Sequence, residues 1–408
     1  FKGDLEEIYS NISYDDEKFI LLGLGEEDKL NANDLRAAYF KVGKEIMKYK
    51  ESSVNISVCP FKNIDYADTI SSIVEGLLQS EYSFEKYLSE KKTNPSLENV
   101  YLNVDGEENL VETTIKETIN LVDGIFLARD LVNEPAMYMT PQALADAAKS
   151  ELEPLGVKVD IYNKEEIEKL NMKAFLAVAE GSTNEPKLIV MHYEGDPDSH
   201  EKLALVGKGL LYDSGGYSLK SANSMITMHS DMAGSASVIG TIKALAKNKV
   251  KRNVVGIVAA CENMISGGAY KPGDILVSMS GKTIETLSTD AEGRLTLADA
   301  LWYAATEIKA DKIVDIATLT GACVVALGNI NTGAKELIKG KFADLSNTGG
   351  RGAGTITAGL FLEEFVDNTP WVHLDIAGTS YLEKEASYLP KGATGVPVKA
   401  LYYLAKEF

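Results

Sequence analysis

Four acidic residues of this chain lie beside apolar or glycine-rich sequence, where charged side chains are usually rare. They are Asp213, Asp231, Asp290 and Glu292. If they converge in the folded chain, four negative charges share poorly solvated surroundings, an arrangement that requires compensating positive charge. Two divalent cations would supply it, and carboxylate oxygens suit Mg²⁺, Mn²⁺ and Zn²⁺. The acidic residues therefore predict a two-metal site.

The four acids lie in three short segments, two of which also carry basic residues. The segment LVGKGLLYDSGGYSLK carries Lys208 and Lys220, MHSDMA follows it, and STDAEGRL carries Arg294. A fourth segment, DIATLTG at 315–321, has the pattern of a strand end, where sites of α/β sheets usually form. In an extended chain alternate residues point the same way, so the two acids and the arginine of STDAEGRL are expected to share one face.

Each of these residues, taken alone, also fits a purely structural role. Asp290 and Glu292 can form a solvated turn ahead of a helix, and Asp213 before Ser-Gly-Gly can be a turn residue. Asp231 can cap the helix that follows it, and Lys208 can extend along apolar surface to water. The other basic residues can be ordinary surface charges. It is the combination that favours a metal site.

The sequence gives less support to metal binding by histidines or to catalysis by a nucleophilic serine. The chain has four histidines, none at ligand spacing with another, and no HExxH motif. His373, between Val372 and Leu374, is expected to be a core residue with its hydrogen bonds satisfied. Ser214 and Ser218 lie near glycines, but no G-x-S-x-G elbow is present.

Composition limits the class of protein. The chain has 408 residues, 45% of them hydrophobic, and a net charge of −19, which disfavours nucleic acid as a partner. No apolar run approaches the roughly 20 residues of a membrane helix, and the first residues lack the regions of a secretory signal. Cys59, Cys261 and Cys323 lie in apolar surroundings and are expected to be reduced core residues, which favours the cytoplasm.

The hydrophobic pattern divides the chain into three parts. Residues 1–106 are predicted to form an α/β domain, in which Asn33 caps a helix over 34–49. Helical periodicity over 107–128 predicts a helix that connects two domains. Residues 129–408 alternate strand and helix signals, which predicts a mixed or parallel sheet covered on both faces. The strand candidates there are 187–193, 202–206, 254–261, 312–316 and 371–375.

Taken together, VGKG…DSGGYSLK, MHSDMAG and STDAEGRL resemble the leucyl aminopeptidase family of cytosolic metallopeptidases, whose signature is NTDAEGRL. The likeness extends to RDLVNEPAMYMTP, ENMISGGAYKPGD, DIATLTG and WVHLDIAG, so it covers nearly all of residues 129–408. It implies a small N-terminal α/β (macro-like) domain, a connecting helix and a larger C-terminal α/β catalytic domain, whose mixed sheet is covered by helices. It also implies a cytoplasmic homohexamer that removes N-terminal residues from peptides, leucine-like ones preferred. The net charge and the short apolar runs predict no nucleic-acid and no membrane partner.

The resemblance also implies roles for single residues. Lys208, Asp213, Asp231 and Glu292 would hold one metal, and Asp213, Asp290 and Glu292 the other. The metals implied are Zn or Mn, with Mg or Co as alternatives. Lys220 and Arg294 would be the catalytic pair, with bicarbonate at Arg294 as the general base. Because an ammonium cannot coordinate, the pKa of Lys208 is expected to fall through burial and neighbouring cations.

A pocket for the substrate's first side chain is implied by position at Met228, Thr318, Gly321 and Ala377, with Ser380 as a further candidate. Small and apolar residues would suit a leucine-sized group.

The chain departs from the family pattern at several places. Ser288 replaces the usual Asn, Met137 stands where Asn is common, and the amino-terminal region is short. Family members also carry several dozen more residues between 332–334 and 335–347. We hypothesise that a loop is missing near Ala334–Lys335, and a Cα separation there close to ~3.8 Å would contradict this.

Two other functions remain open from the residues alone. Glycine-rich VGKG and DSGGYS could cradle phosphate for a phosphoryl-transfer enzyme, although no G-x-x-x-x-G-K-[ST] is present. The first domain could instead be a binding module for a nucleotide-like ligand or a partner. Chelator-sensitive release of leucine from a leucyl amide would favour the peptidase.

Overall fold

The computed structural model of this chain describes residues 1–15, 17–49, 52–90, 97–104, 108–321, 334–350 and 353–408. These residues form two compact units. The first comprises Phe1–Asp123 and Leu382–Lys391, and the second comprises Gly124–Tyr381 and Gly392–Phe408.

The first unit is a small α/β unit. Its elements are β1 (Ile8–Tyr14), β2 (Glu17–Leu22), α1 (Ala32–Tyr49), β3 (Ser53–Ser57), α2 (Tyr66–Glu81) and β4 (Asn99–Asn103). Strands β1 and β2 pair antiparallel, and β3 and β4 pair parallel. Leu35 and Ile46 of α1 share a buried core with Ile70 and Ile73 of α2. The two helices pack together because each buries one apolar face.

The start of α1 differs from the prediction. The side-chain oxygen of Asn31 accepts hydrogen bonds from the backbone N–H of Asn33 (2.9 Å) and of Asp34 (3.1 Å). Asn31 therefore satisfies amides of the first turn, and the prediction that Asn33 does so is wrong.

The long helix expected over 107–128 is α3, Glu108–Asn133. Residue 107 lies outside the described residues. The helix runs five residues further than predicted, and its residues belong partly to each unit.

The rest of the chain supplies the large sheet and its helices. In order, the elements are α4 (Pro141–Leu152), β5 (Lys158–Tyr162), α5 (Lys164–Lys169), α6 (Lys173–Ala179), β6 (Lys187–Glu194), β7 (Leu203–Asp213), α7 (Ala222–Met225), α8 (Ala233–Lys247), β8 (Asn253–Asn263), β9 (Ile275–Val277), β10 (Thr283–Glu285), α9 (Gly293–Thr306), β11 (Lys312–Ala317), β12 (Leu345–Ser346), α10 (Gly354–Glu363), β13 (Trp371–Asp375), β14 (Tyr381–Leu382), β15 (Gly392–Ala393) and α11 (Val396–Glu407). Short 3₁₀ helices span Glu27–Lys29, Glu153–Leu155, Met228–Met232 and Ala334–Ile338.

The large sheet has six strands in the order β13-β11-β7-β8-β6-β5. The first four run parallel, and β8, β6 and β5 pair antiparallel. A Cβ on Gly256 of β8 would contact Val238 and Ile242 of α8, whereas the adjacent Val255 packs in the cluster that contains residues of α9. Since neighbouring residues of a strand face opposite ways, helices cover both faces of the sheet.

This topology brings the carboxyl ends of four parallel strands to one edge. Strand β7 ends at Asp213, β8 at Asn263 and β13 at Asp375, while Thr318 directly follows β11. Crevices outside the carboxyl ends of such strands are where α/β sheets bind ligands. The sheet therefore sets the position of the candidate site.

The predicted fold class is confirmed, with a mixed sheet between helices and a separate small α/β unit. Strand β7 is longer than predicted, so Lys208 lies inside the strand rather than after it. Cys261 is buried as expected, Cys59 is exposed against expectation, and Cys323 lies outside the described residues. Among the helices that the structure describes, none combines the length and apolar character needed to cross a bilayer.

Candidate metal centre

Lys208 is a buried cation in the middle of the sheet. Its side chain is 3% exposed, and its ammonium lies 2.7 Å from Asp231 Oδ2 and 3.1 Å from Glu292 Oε1. It also donates a hydrogen bond to the carbonyl oxygen of Thr318 (3.0 Å). The ammonium is buried and engaged by these three groups, which excludes the interpretation in which Lys208 extends to water.

Asp213, at the end of β7, is held through both carboxylate oxygens. Its Oδ1 accepts hydrogen bonds from Asn263 Nδ2 (2.7 Å) and from the N–H of Gly215 (2.9 Å). Its Oδ2 lies 2.8 Å from the ammonium of Lys220. Gly215 has φ +85°, and a Cβ there would lie 2.8 Å from Asp290 Oδ1, so the turn requires glycine.

Asp231 lies in the 3₁₀ helix Met228–Met232, which leads into α8. Its Oδ1 accepts a hydrogen bond from the hydroxyl of Thr318 (2.6 Å). The residue at the N-cap position of α8 is Met232, without a side-chain capping bond, so Asp231 does not cap that helix.

The segment STDAEGRL is a turn followed by a helix, so the prediction that its charges share one extended face is wrong. The chain turns at Thr289 and Asp290, Glu292 already has helical torsion angles, and Arg294 lies in the first turn of α9. The side chain of Asp290 is 39% exposed and bonds the Lys220 ammonium at 2.5 Å. Glu292, by contrast, is almost fully buried.

Three of the four predicted acids meet directly. Carboxylate oxygens of Asp213, Asp231 and Glu292, all buried, lie within 4.8 Å of one another. Asp290 is outside this cluster and is linked to it through Lys220. Burial, together with the charge of Asp213, raises the pKa of Asp231 to about 6 and that of Glu292 to about 8.

Burial lowers the pKa of Lys208, but the charges of Asp231, Glu292 and Asp213 outweigh it and raise the pKa above its usual range. The carboxylates alone thus act against the lowered pKa that the sequence predicted. A fall in the pKa of Lys208 requires cations in the site, and this fall stays a prediction for the metal-loaded protein.

The residues present fit a divalent cation. Glu292 Oε2 is buried and has no hydrogen-bond partner among the described residues. An unsatisfied buried carboxylate oxygen is costly, and coordination to a cation would satisfy it. Clustered carboxylates are the donors that hard cations such as Mg²⁺ and Mn²⁺ prefer, and Zn²⁺ accepts them too.

Arg294 lies beside this cluster with its guanidinium buried. Burial lowers its pKa to about 10, opposed by the charges of Glu292 and Asp375. Its Nε has no hydrogen-bond partner within the described part of the chain. A buried guanidinium of this kind can bind a small oxyanion through its planar fork.

The predicted pocket residues lie around the same edge of the sheet. Thr318 bonds Asp231 directly, and Met228 is half-buried in the 3₁₀ helix that carries Asp231. The N–H of Ala377 donates to Asp375 Oδ1 (3.1 Å), which also accepts from the N–H of Leu319 (3.2 Å). Gly321 is exposed with open space about its Cα, and Ser380 is buried.

Neutral residues that the sequence did not single out hold the charged ones in place. Asn263 Nδ2 donates to the carbonyl of Thr289 (2.9 Å) as well as to Asp213. The Thr289 hydroxyl donates to the carbonyl of Gly215 (2.6 Å), and Asn347 Nδ2 donates to that of Ser288 (2.7 Å). The signals available for Asn263 were its place two residues after the predicted strand 254–261 and within the family-like segment ENMISGGAYKPGD.

Comparisons with known proteins agree on one family. The model described as the cytosol aminopeptidase family, catalytic domain, matches residues 126–336 and 330–402, and its N-terminal domain counterpart matches residues 1–91. A probable cytosol aminopeptidase of Clostridium tetani is 64% identical over 100% of this chain and 92% of its own length. One of Treponema denticola is 46% identical, over 100% and 93%. The solved structure of the bottromycin maturation enzyme BotP in complex with Mn matches with a TM-score of 0.92 at 28% identity, over 100% of this chain and 94% of that one.

The same comparisons bear on the missing-loop hypothesis. The alignment to the Clostridium tetani relative spans 441 positions for 408 residues here, so this chain lacks a residue at 441 − 408 = 33 positions or more. The two matches to the catalytic-domain model meet at residues 330–336. The break between the two matches lies beside Ala334–Lys335, which agrees with family members carrying more residues there than this chain does. That a loop is missing at this junction stays a prediction; residues 322–333 lie outside the described residues.

We predict that Gly293→Ala disturbs the centre. A Cβ there would lie 2.5 Å from Lys208 Cε and 2.7 Å from its Nζ, so the ammonium must leave Asp231 or Glu292. Overpacking of this kind lowers the free energy of unfolding by about 1–3 kcal/mol, measurable by urea denaturation. The matched control is Gly359→Ala in α10, where a Cβ meets open space and stability is expected to hold or rise. Equal stability of Gly293→Ala and wild type would contradict the packing argument.

Proposed function

The chain belongs to the cytosol aminopeptidase family, and we propose that it is a leucine-preferring aminopeptidase that works with two divalent cations. The observation that carries this proposal is the buried cluster of Asp213, Asp231 and Glu292 beside Lys208. Such a concentration of charge has no structural benefit of its own, since apolar residues of similar size would stabilise the interior as well or better.

We assign the two cations to overlapping sets of residues. Lys208, Asp213, Asp231 and Glu292 would hold one, and Asp213, Asp290 and Glu292 the other. Asp213 and Asp290 both contact the ammonium of Lys220, which supports the proposal that they share a site. Zn or Mn is proposed, with Mg or Co as alternatives; the similar BotP was solved with Mn. When bound, the cations would activate a water molecule and polarise the scissile carbonyl, and bicarbonate at Arg294 would act as general base.

Lys220 and Arg294 supply the chain's own positive charge to the reaction. Lys220 is partly exposed, and burial lowers its pKa less than Asp213 and Glu292 raise it. As a fixed cation it can donate a hydrogen bond to the oxyanion that develops on the substrate carbonyl. Arg294 orients a small oxyanion beside the attacked bond.

The pocket for the first side chain is proposed to be formed by Met228, Thr318, Gly321 and Ala377, with Ser380 next to them. Their half-buried or open positions at one edge of the sheet support this. An apolar pocket separates side chains that differ by one methylene by only about 1–3 kcal/mol, so broad specificity is expected.

We also propose, from the family resemblance, a cytoplasmic homohexamer that acts on peptides. From the composition of the chain we propose that neither nucleic acid nor a membrane is a partner. The net charge of −19 supports the exclusion of nucleic acid.

Glu292→Gln tests the metal assignment. Because the amide removes a charge shared by both sets of residues, bound metal is expected to fall from two ions per chain to one or fewer, with kcat for leucyl amides reduced at least about 100-fold. Metal analysis after dialysis and initial rates measure this. Glu307→Gln, an exposed change at the other end of α9, is the control. Full activity and two ions in Glu292→Gln would refute the assignment.

Ala377→Val tests the pocket. Two added methyl groups should shorten it, so kcat/KM for a leucyl substrate is expected to fall about tenfold relative to that for an alanyl substrate. Ala386→Val, at an exposed position of the first unit, should leave the ratio unchanged. An unaltered ratio in Ala377→Val would remove that residue from the pocket.

The proposed assembly is tested by light scattering coupled to size exclusion. We expect the mass of six chains at micromolar concentration. The mass of a single chain under the conditions of the activity assay would show that the hexamer is not the active form.

A further inference from the structure

An aspartate and a histidine form a buried pair on neighbouring strands near the centre. Asp315 of β11 and His373 of β13 are direct partners in the parallel register, so their side chains lie on the same face of the sheet. His373 Nδ1 lies 2.6 Å from Asp315 Oδ1, and the indole N–H of Trp371 donates to Asp315 Oδ2 at 2.6 Å. Both oxygens of Asp315 therefore accept, and Nδ1 of the imidazole carries the proton.

The other ring nitrogen is left without a partner. The side chain of His373 is 9% exposed, and its Nε2 is buried with no hydrogen-bond partner among the described residues. The expectation that both hydrogen bonds of His373 are satisfied in the core is therefore met at Nδ1, whereas the described residues offer Nε2 no partner. With Nδ1 protonated, the neutral imidazole presents a lone pair at Nε2 and requires a donor.

Arg294 is the donor that the surroundings offer. Its Nε–H is buried and likewise lacks a partner in the described part of the chain. Helix α9, which begins at Gly293, packs on β11. Burial and the positive charge of Arg294 lower the pKa of His373, but the hydrogen bond to Asp315 and the charges of Asp315 and Asp375 outweigh them and raise it. Asp375 lies two residues along β13 on the same face, where its Oδ2 accepts from the Thr320 hydroxyl (2.7 Å).

We propose that His373 is a positioning residue for Arg294: its Nε2 accepts a hydrogen bond from one water molecule, which in turn accepts from the Arg294 Nε–H. This rests on the proposed function, in which Arg294 holds the oxyanion that serves as base. A bond at Nε leaves the two terminal nitrogens of the guanidinium free for the oxyanion and fixes their plane. Asp315 and Trp371 in turn fix the ring.

Two replacements of His373 separate positioning from packing. His373→Asn keeps an amide N–H near the place of Nδ1, where it can donate to Asp315, but has no atom near Nε2. His373→Gln reaches the place of Nε2 with a polar group and gives up the bond to Asp315. We expect kcat for a leucyl amide to fall about tenfold in His373→Asn with KM unchanged, and to stay within about twofold in His373→Gln.

The same replacement in a second background tests whether the effect passes through Arg294. Arg294→Lys keeps a positive charge but lacks the Nε–H, so His373→Asn should change its kcat by less than about twofold. Equal losses in the Asn and Gln variants, or a tenfold loss in both backgrounds, would overturn the proposal. A wild-type chain without peptidase activity would refute the proposed function itself and this inference with it.

Nitrogen NMR tests the proposal with a readout other than activity, first on the unaltered chain and then on Arg294→Lys. The His373 ring should be in the Nδ1–H form when neutral, with the Nε2 resonance shifted as for a hydrogen-bond acceptor and altered in Arg294→Lys. A ring protonated at Nε2 when neutral, or a resonance indifferent to Arg294→Lys, would overturn it.

Discussion

The structure depends on the mutual compensation of charges buried at the edge of the sheet. Asp213, Asp231 and Glu292 are almost fully withdrawn from water, and the ammonium of Lys208 lies between two of them. Removing one partner of such a group costs about 3–5 kcal/mol, because the remaining charge stays buried and unpaired. The raised pKa values of Asp231 and Glu292 express the same imbalance, which a bound cation would correct.

The sheet makes this cluster possible because it supplies rigid backbone on which charges from distant segments meet. Parallel pairing of β13, β11, β7 and β8 places the carboxyl ends of four strands together. Helix α9 then brings Glu292 and Arg294 to the same edge, and the 3₁₀ helix before α8 brings Asp231. No residue of the cluster relies on a long flexible loop, so the spacing of its oxygens is fixed by packing.

Much of this could be predicted because charge in an apolar context is a strong signal in a sequence. Lys208 and Asp213 stand out against β7, and the STDAEGRL segment stands out ahead of α9. The local conformation of that segment could not be deduced by alternation, since small residues there permit a turn as readily as a strand. In the structure the turn leaves the side chain of Asp290 half-exposed, whereas that of Glu292 is buried.

The residues that hold the charged groups were harder to find because neutral side chains carry no such signal. Asn263 and Thr289 are ordinary in composition, and their role follows only from which carbonyls and carboxylates lie within reach. His373 is the instructive case: between two apolar residues it has the pattern of a core position, and its burial agrees with that. Burial, however, does not show that both ring nitrogens have hydrogen-bond partners. The pairing with Asp315, fixed by strand register over 58 residues of sequence, satisfies one nitrogen and leaves the other without a partner among the described residues.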